Sequence, residues 1–145
     1  MESQVKIDFV SVITEGAINQ MSSPVDEITV TQKGITVDGL QDFGKAMHWD
    51  TTMATQVFRT TKRTLERHAK EHKPLSLNIS ENALDVARLA TLGTGYFGNV
   101  ERWNKWLTTP HVQFGNEPPQ SVMYTLRGRE MIKRIIRGLE YGFTA

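Results

Sequence analysis

The chain has 145 residues, 39% of them hydrophobic, which suits one domain or two small ones with a modest core. It has no cysteine, which excludes disulfide frameworks, thiol nucleophiles and cysteine-based metal knuckles. The formal net charge is +1. No run approaches the roughly 20 apolar residues of a membrane-spanning helix, and the amino end is acidic where a signal peptide would be basic. We therefore expect a cytoplasmic protein.

Charge is distributed unevenly along the chain. Residues 1–38 have two basic and six acidic side chains, whereas residues 59–73 have six basic and two acidic ones, and residues 127–145 have five and two. A local basic excess attracts phosphate or an acidic protein surface, although a solvated helix face is the commoner explanation of any one run. The two basic segments are therefore candidate binding surfaces.

The amino-terminal part predicts an arm followed by a helix. Residues 1–22 show no sustained hydrophobic period and contain small polar residues, so we expect a flexible N-terminal arm. A helix is predicted to begin after Ser23, because a proline and two carboxylates follow it, and to end at Gly34. The alternative is a hairpin in which residues 28–31 pair with residues 35–37.

Residues 53–68, MATQVFRTTKRTLERH, have the spacing of a helix-turn-helix motif. The preceding segment is also helical, and Asp50 or Thr51 can cap the first helix of the motif. Arg59 and Thr60 occupy the turn, where glycine is favoured. Thr61 then caps a second helix that begins at Lys62, with Leu65 and Ala69 expected to turn inward.

In such a motif the start of the second helix offers its side chains to the major groove of DNA. A helical hairpin with a solvated basic face is the structural alternative. Lys70 and Lys73 are predicted as phosphate neighbours rather than base contacts. The predicted DNA contacts are Thr61, Lys62, Arg63, Arg67 and Lys70.

Two motif matches lack the context that their chemistry needs. GTGYFG, residues 93–98, fits the dinucleotide-binding pattern but follows a helical period, with Ser80 as the predicted cap, rather than a strand. Its glycines are therefore predicted to pack against a neighbour or to end a helix. HAKEH, residues 68–72, fits a zinc-hydrolase pattern, but no third ligand is supported and lysines flank it, so we predict no metal site.

Three more helices are predicted after residue 98. Asn99 caps the first, whose tryptophans form a small core; a short helix begins at Val122; Thr125 caps the last, and Gly142 lies where a left-handed cap would be. The last helix has an apolar face and a basic face. Its predicted inner residues are Leu126, Ile132, Ile135, Ile136 and Leu139, and its predicted outer residues are Arg127, Arg129, Lys133, Arg134 and Arg137.

Residues 99–145 resemble the toxin-binding domain of the Xre/MbcA/ParS-type antitoxins. The resemblance lies in WLTTP at residues 106–110, FGNEPPQSVM at residues 114–123 and the terminal LEYGFTA. Upstream, KGITVDGLQDFGKAMHW and VFRTTKRTLERH resemble the Xre-like helix-turn-helix domain of such proteins. The resemblance, which covers roughly residues 33–145, implies an all-α protein. After the arm expected at residues 1–22, we expect a helix-turn-helix domain (23–98) and a toxin-binding domain (99–145).

The same resemblance implies a function. The chain would neutralise a partner RES-type toxin, which degrades NAD⁺ or transfers a group from NAD⁺. The chain itself would be neither an enzyme nor a cofactor-binding protein. It would insert its C-terminus into the toxin active site and, as a homodimer, repress its own operon. The alternatives are a tail that frays or folds back, and a stand-alone transcriptional regulator with a partner-binding domain. The expected toxin contacts are Arg134, Arg137, Glu140, Tyr141, Gly142, Phe143, Thr144 and Ala145.

Overall fold

The computed structural model describes residues 6–142, and within that range the chain forms eight α-helices, two short 3₁₀ helices and no strand. The predicted all-α class is confirmed. None of the described helices is both long enough and apolar enough to cross a membrane. The helices are α1 (Phe9–Ile13), α2 (Pro24–Lys33), α3 (Val37–Ala46), α4 (Thr51–Phe58), α5 (Lys62–Glu71), α6 (Leu77–Phe97), α7 (Val100–Leu107) and α8 (Leu126–Glu140), with 3₁₀ helices at Val112–Phe114 and Pro119–Val122.

Most of the predicted helix caps are present. In each case the side-chain oxygen accepts a hydrogen bond from the backbone N–H three residues later, which satisfies a donor that the helix leaves unpaired. The hairpin alternative is not formed, because α2 is continuous to Lys33 and Gly34 ends it with φ +97°. The caps are Ser23, Asp50, Thr61, Asn99 and Thr125.

The predicted cap at Ser80 is wrong. Helix α6 begins at Leu77, and the hydroxyl of Ser76 accepts the N–H of Ile79 at 3.3 Å. Ser80 is fully buried, and its hydroxyl accepts the N–H of Ile35 at 2.8 Å. The hydroxyl therefore satisfies a distant backbone donor, which no local pattern reveals.

The described residues divide into two compact units, an N-terminal unit of residues 8–88 and a C-terminal unit that begins at Leu89. The boundary lies inside α6, ten residues before the division that we expected after residue 98. The reason is that the last turns of α6 pack with α7: the ring centroids of Phe97 and Trp103 are 5.9 Å apart.

A cluster of aromatic rings fills the N-terminal unit, and it includes a residue from the expected arm. Phe9 and Phe43 are 5.6 Å apart between ring centroids, and Phe43 also contacts Trp49 at 5.5 Å and Phe58 at 5.7 Å. Helix α1 packs on α3. The expectation of a flexible arm therefore does not hold for residues 9–13, whose apolar run is too short to show a period; residues 1–5 lie outside the described residues.

The core of the C-terminal unit differs from the prediction at α8. Leu126, expected inside, is 59% exposed, whereas Arg129, expected outside, is only 4% exposed. Position 129 lies three residues before the fully buried Ile132, so both are on the inner face of α8. There Arg129 Nη1 donates to the carbonyl of Met123 at 3.0 Å. The short helix expected from Val122 is instead a 3₁₀ helix that ends there.

Candidate functional site

The carboxyl end of α8 presents polar and aromatic side chains opposite a buried face. Ile132 and Ile136 are fully buried, whereas Tyr141 is 76% exposed. Arg134, Arg137 and Glu140, three of the predicted toxin contacts, are all exposed. Arg137 Nη1 and Glu140 Oε1 form an ion pair at 3.1 Å, so their charges are partly matched within the helix.

The chain leaves α8 through a left-handed residue at the predicted position. Gly142 has φ +80°, and its N–H donates to the carbonyl of Leu139 at 3.0 Å, as in a glycine-terminated helix. Gly142 is exposed, as is Tyr141. The remaining predicted contacts, Phe143, Thr144 and Ala145, lie outside the described residues.

A cleft in the C-terminal unit is lined almost entirely by rings and aliphatic side chains, and we call it the aromatic cleft. Its volume is about 320 Å³. Two residues of α8 form one side of it, and the other residues come from the end of α6, α7 and the Val112–Phe114 turn. The lining residues are Tyr96, Phe97, Trp106, His111, Gln113, Phe114, Ile135 and Leu139.

Ring contacts hold the aromatic cleft in shape. The centroid of Trp106 lies 5.3 Å from Phe97, 5.3 Å from His111 and 6.1 Å from Phe114. Sequence reasoning assigned the tryptophans to the core and missed this cleft. Trp103 is indeed fully buried, but Trp106 is only partly buried and faces the cleft.

The predicted DNA contacts lie on the exposed side of α5. Thr61, Lys62, Arg63, Arg67 and Lys70 are all exposed. Positions 63, 67 and 70 follow the spacing of one helical face, so the structure brings these three cations together. Lys62 is 3.9 Å from Glu66, and both side chains are largely exposed.

The inner face of α5 and its connection to α4 differ partly from expectation. Leu65 is 8% exposed and anchors the helix, as predicted. Ala69 is exposed, so its predicted inward position is wrong, because the last turn of α5 borders an open pocket. Arg59 has φ +57° and ψ +46°, and it thus adopts the left-handed conformation that glycine favours at such a turn.

The two histidines of HAKEH do not share a helical face. His68 belongs to α5, whereas His72 follows its end with φ +54°. His68 Nδ1 is 3.0 Å from the carbonyl oxygen of Pro74; since a carbonyl only accepts, this nitrogen bears the hydrogen. Within residues 6–142, no group of three His, Asp or Glu side chains has a geometry that could hold a metal ion.

Comparison with known proteins places the cleft and α8 in one family domain. Residues 93–142 match the family model of the antitoxin Xre/MbcA/ParS C-terminal toxin-binding domain. The chain is also similar to a protein named Prs ADP-ribosylating antitoxin from Sphingobium sp. (strain YBL2). The two are 27% identical over 130 residues, and the alignment covers 83% of this chain and 82% of that relative.

Proposed function

We propose that this chain, an antitoxin of the Xre/MbcA/ParS type, neutralises a RES-type toxin encoded beside it by inserting its C-terminus into the toxin active site. The observation that carries the proposal is the match of residues 93–142 to a toxin-binding domain. That match includes all of α8 and the exposed residues at its end. The chain acts by binding, with no cofactor and no catalysis of its own.

The burial pattern of α8 supports insertion of the C-terminus into the toxin. Ile132 and Ile136 fix the helix on its own core, so presenting Tyr141 to a partner costs little additional ordering entropy. A largely exposed tyrosine supplies the kind of aromatic area that dominates binding energy at interfaces. Arg134 and Arg137 lie on the same side of α8 as Tyr141, and the residues that follow Tyr141 enter the toxin cavity.

Our proposal for the chemistry of the toxin draws on the family resemblance and on the name of the relative. The name of the Sphingobium protein mentions ADP-ribosylation, which is the transfer of ADP-ribose from NAD⁺. We therefore propose that the blocked cavity is the NAD⁺ site of the toxin. The toxin would be an enzyme that degrades NAD⁺ or transfers a group from NAD⁺. Phe143, Thr144 and Ala145 have uncharged side chains, and in this proposal they form the plug.

Deletion of residues 142–145 tests this proposal. Gly142 is exposed and lies beyond the end of α8, so the deletion should leave the midpoint of thermal unfolding nearly unchanged. It should abolish protection of cells that express the toxin, measured by growth and by cellular NAD⁺. Tyr124→Ala, at a tyrosine 43% exposed elsewhere in the C-terminal unit, is the control and should protect fully. Full protection by the truncated chain would refute insertion.

The exposed basic face of α5 favours a second function, repression of the chain's own operon. Arg63, Arg67 and Lys70 are positioned to contact phosphates or base edges, and Thr61 begins the helix. Binding to two half-sites would require a homodimer. The alternative is a stand-alone regulator without a toxin, and co-purification of the neighbouring gene product discriminates between the two.

A further inference from the structure

We propose that Arg59, in the turn between α4 and α5, is a further DNA contact whose guanidinium binds a phosphate of the DNA backbone. The inference rests on the proposed repression of the operon, because it adds a residue to the surface that would bind DNA. Arg59 stands where glycine is favoured in such a turn, and it is not among the contacts predicted from the sequence.

The turn has the backbone of a glycine-terminated helix, although it contains no glycine. Arg59 has φ +57° and ψ +46°, and its N–H donates to the carbonyl of Gln56 at 3.3 Å. The N–H of Thr60 donates to the carbonyl of Thr55 at 3.0 Å. These are the two hydrogen bonds of a Schellman motif, whose left-handed residue is usually glycine. A side chain strains this conformation, and strained residues of this kind cluster at binding sites.

The neighbours of Arg59 fix the point from which its side chain extends. Phe58 is fully buried, and its ring centroid is 5.7 Å from that of Phe43. The hydroxyl oxygen of Thr60 is also buried, whereas Arg59 and Thr61 are exposed. The turn therefore presents positions 59 and 61 to solvent from a backbone anchored on the core. Binding at Arg59 thus requires little further ordering of the main chain.

The guanidinium of Arg59 is free to bind an anion. It has no hydrogen-bond or ion-pair partner within residues 6–142. Residues 51–65, which include the turn, contain three basic side chains and no acidic one. Glu66 is the next carboxylate along the chain, and it lies 3.9 Å from Lys62. A planar guanidinium matches the oxygens of a phosphate with two parallel hydrogen bonds, so a phosphate is the anion that suits it best.

Arg59 also lies at the end of α5 that would enter the major groove. Thr61 caps this helix, so Arg59 precedes the cap by two residues. Because consecutive Cα atoms are 3.8 Å apart, the Cα atoms of Arg59 and Thr61 are at most about 7.6 Å apart. The DNA backbone borders the groove that receives the start of such a helix, and it carries the phosphates that position the protein. A phosphate beside the groove is therefore within reach of Arg59.

The dipole of α4 offers a second reason for a cation at position 59, since a positive side chain is favourable at the carboxyl end of a helix. His72 separates the two reasons. It ends α5 with φ +54°, and the N–H groups of His72 and Lys73 make the same pair of hydrogen bonds, to the carbonyls of Ala69 and His68. His72 lies at the opposite end of α5, so it shares the backbone conformation with Arg59 but not the proposed contact.

Two measurements on the whole chain test the contact in Arg59→Gly. Thermal unfolding reports the strain of the turn, and fluorescence anisotropy at several salt concentrations reports binding to the DNA upstream of the chain's own gene. The substitution should raise the midpoint of unfolding by about 2–4 °C, because glycine adopts the left-handed conformation without strain. It should also weaken DNA binding and reduce the log–log salt slope by about 0.9, the value for one phosphate contact.

Two further variants are the controls. His72→Gly should raise the midpoint in the same way and leave the salt slope unchanged. Arg59→Lys retains the positive charge and should retain the slope. An unchanged slope for Arg59→Gly would overturn the contact whatever happens to the midpoint, and an equal fall for His72→Gly would do the same. Failure of the unsubstituted chain to bind this DNA would instead refute the proposed repression, and the contact with it.

Discussion

Gly93 lies directly against the indole ring of Trp103. An ideal Cβ built on Gly93 would be 2.5 Å from Cε3 and from Cζ3 of that ring, closer than real β-carbons approach. Trp103 is fully buried and stacks on Trp106, with 13° between the ring planes and 5.7 Å between the centroids. The close approach of α6 to α7 therefore depends on the absence of a side chain at position 93.

Gly93→Ala is expected to destabilise the chain by about 1–3 kcal/mol, because the added methyl group must displace a fully buried indole ring. Gly95→Ala is the matched control: the same helix gains the same methyl group, but an ideal Cβ there meets nothing within 4 Å. It should stabilise by about 0.5–1 kcal/mol. Urea titration followed by tryptophan fluorescence measures both, and equal effects would contradict the packing argument.

Arg88→Met should lower the free energy of unfolding by about 1–3 kcal/mol, since it leaves several partly buried acceptors without this donor. Arg88 Nε donates to Glu27 at 2.8 Å, and Arg88 Nη1 donates to the carbonyl of Gln20 at 3.1 Å. The Arg88 and Glu27 side chains are only about a quarter exposed, at 25% and 24%. The guanidinium thus ties the segment before α2 to α6.

A substitution in an exposed ion pair is the control for Arg88→Met. Lys62 Nζ and Glu66 Oε1 are 3.9 Å apart, and the two side chains are 75% and 68% exposed. Because water screens such a pair, Glu66→Gln should change the free energy of unfolding by less than about 0.5 kcal/mol. Thermal unfolding at low and high salt compares the two substitutions. A loss for Glu66→Gln as large as that for Arg88→Met would show that burial and the carbonyl partners of Arg88 are not what matters.

Helix ends could be predicted from the sequence because their hydrogen bonds are local. Thr61 and Asn99 each accept the N–H three residues later, and the polar residue and its helix are adjacent in the sequence. Long-range partners could not be predicted. Ser80 bonds to Ile35, 45 residues away, and Arg129 has a buried carbonyl partner on the inner face of α8, where a charge is normally excluded.

The candidate site was predictable only where one helix forms it. Arg134, Arg137 and Glu140 share α8, so their spacing places them near one another without knowledge of the fold. The aromatic cleft takes residues from position 96 to position 139, and its existence depends on how three helices and a turn meet. The sequence signal was the density of aromatic residues after Tyr96, which a buried core explains equally well.

Replacing Arg63 and Arg67 by alanine should weaken binding to the DNA upstream of the chain's own gene while sparing toxin neutralisation. Each lost phosphate contact should reduce the salt dependence of the binding constant by about 0.9 in log–log slope. Arg102→Ala, an exposed arginine of the C-terminal unit, is the control and should leave the slope unchanged. Fluorescence anisotropy at several salt concentrations measures this; unchanged binding would assign α5 to a dimer interface instead.

Gly142→Ala should weaken the proposed toxin binding without unfolding the chain. The residue has φ +80°, and its added Cβ would meet nothing within 4 Å, so the effect acts through the backbone alone. Holding an alanine in the left-handed conformation costs roughly 1–2 kcal/mol. In the variant, either the chain continues from α8 in another direction, or this free energy is lost from binding. We expect about a tenfold loss of affinity by calorimetry. Gly142→Asn, which tolerates the left-handed conformation, should retain most of the affinity. Equal binding by the alanine and asparagine variants would show that the direction in which the chain leaves α8 does not matter for neutralisation.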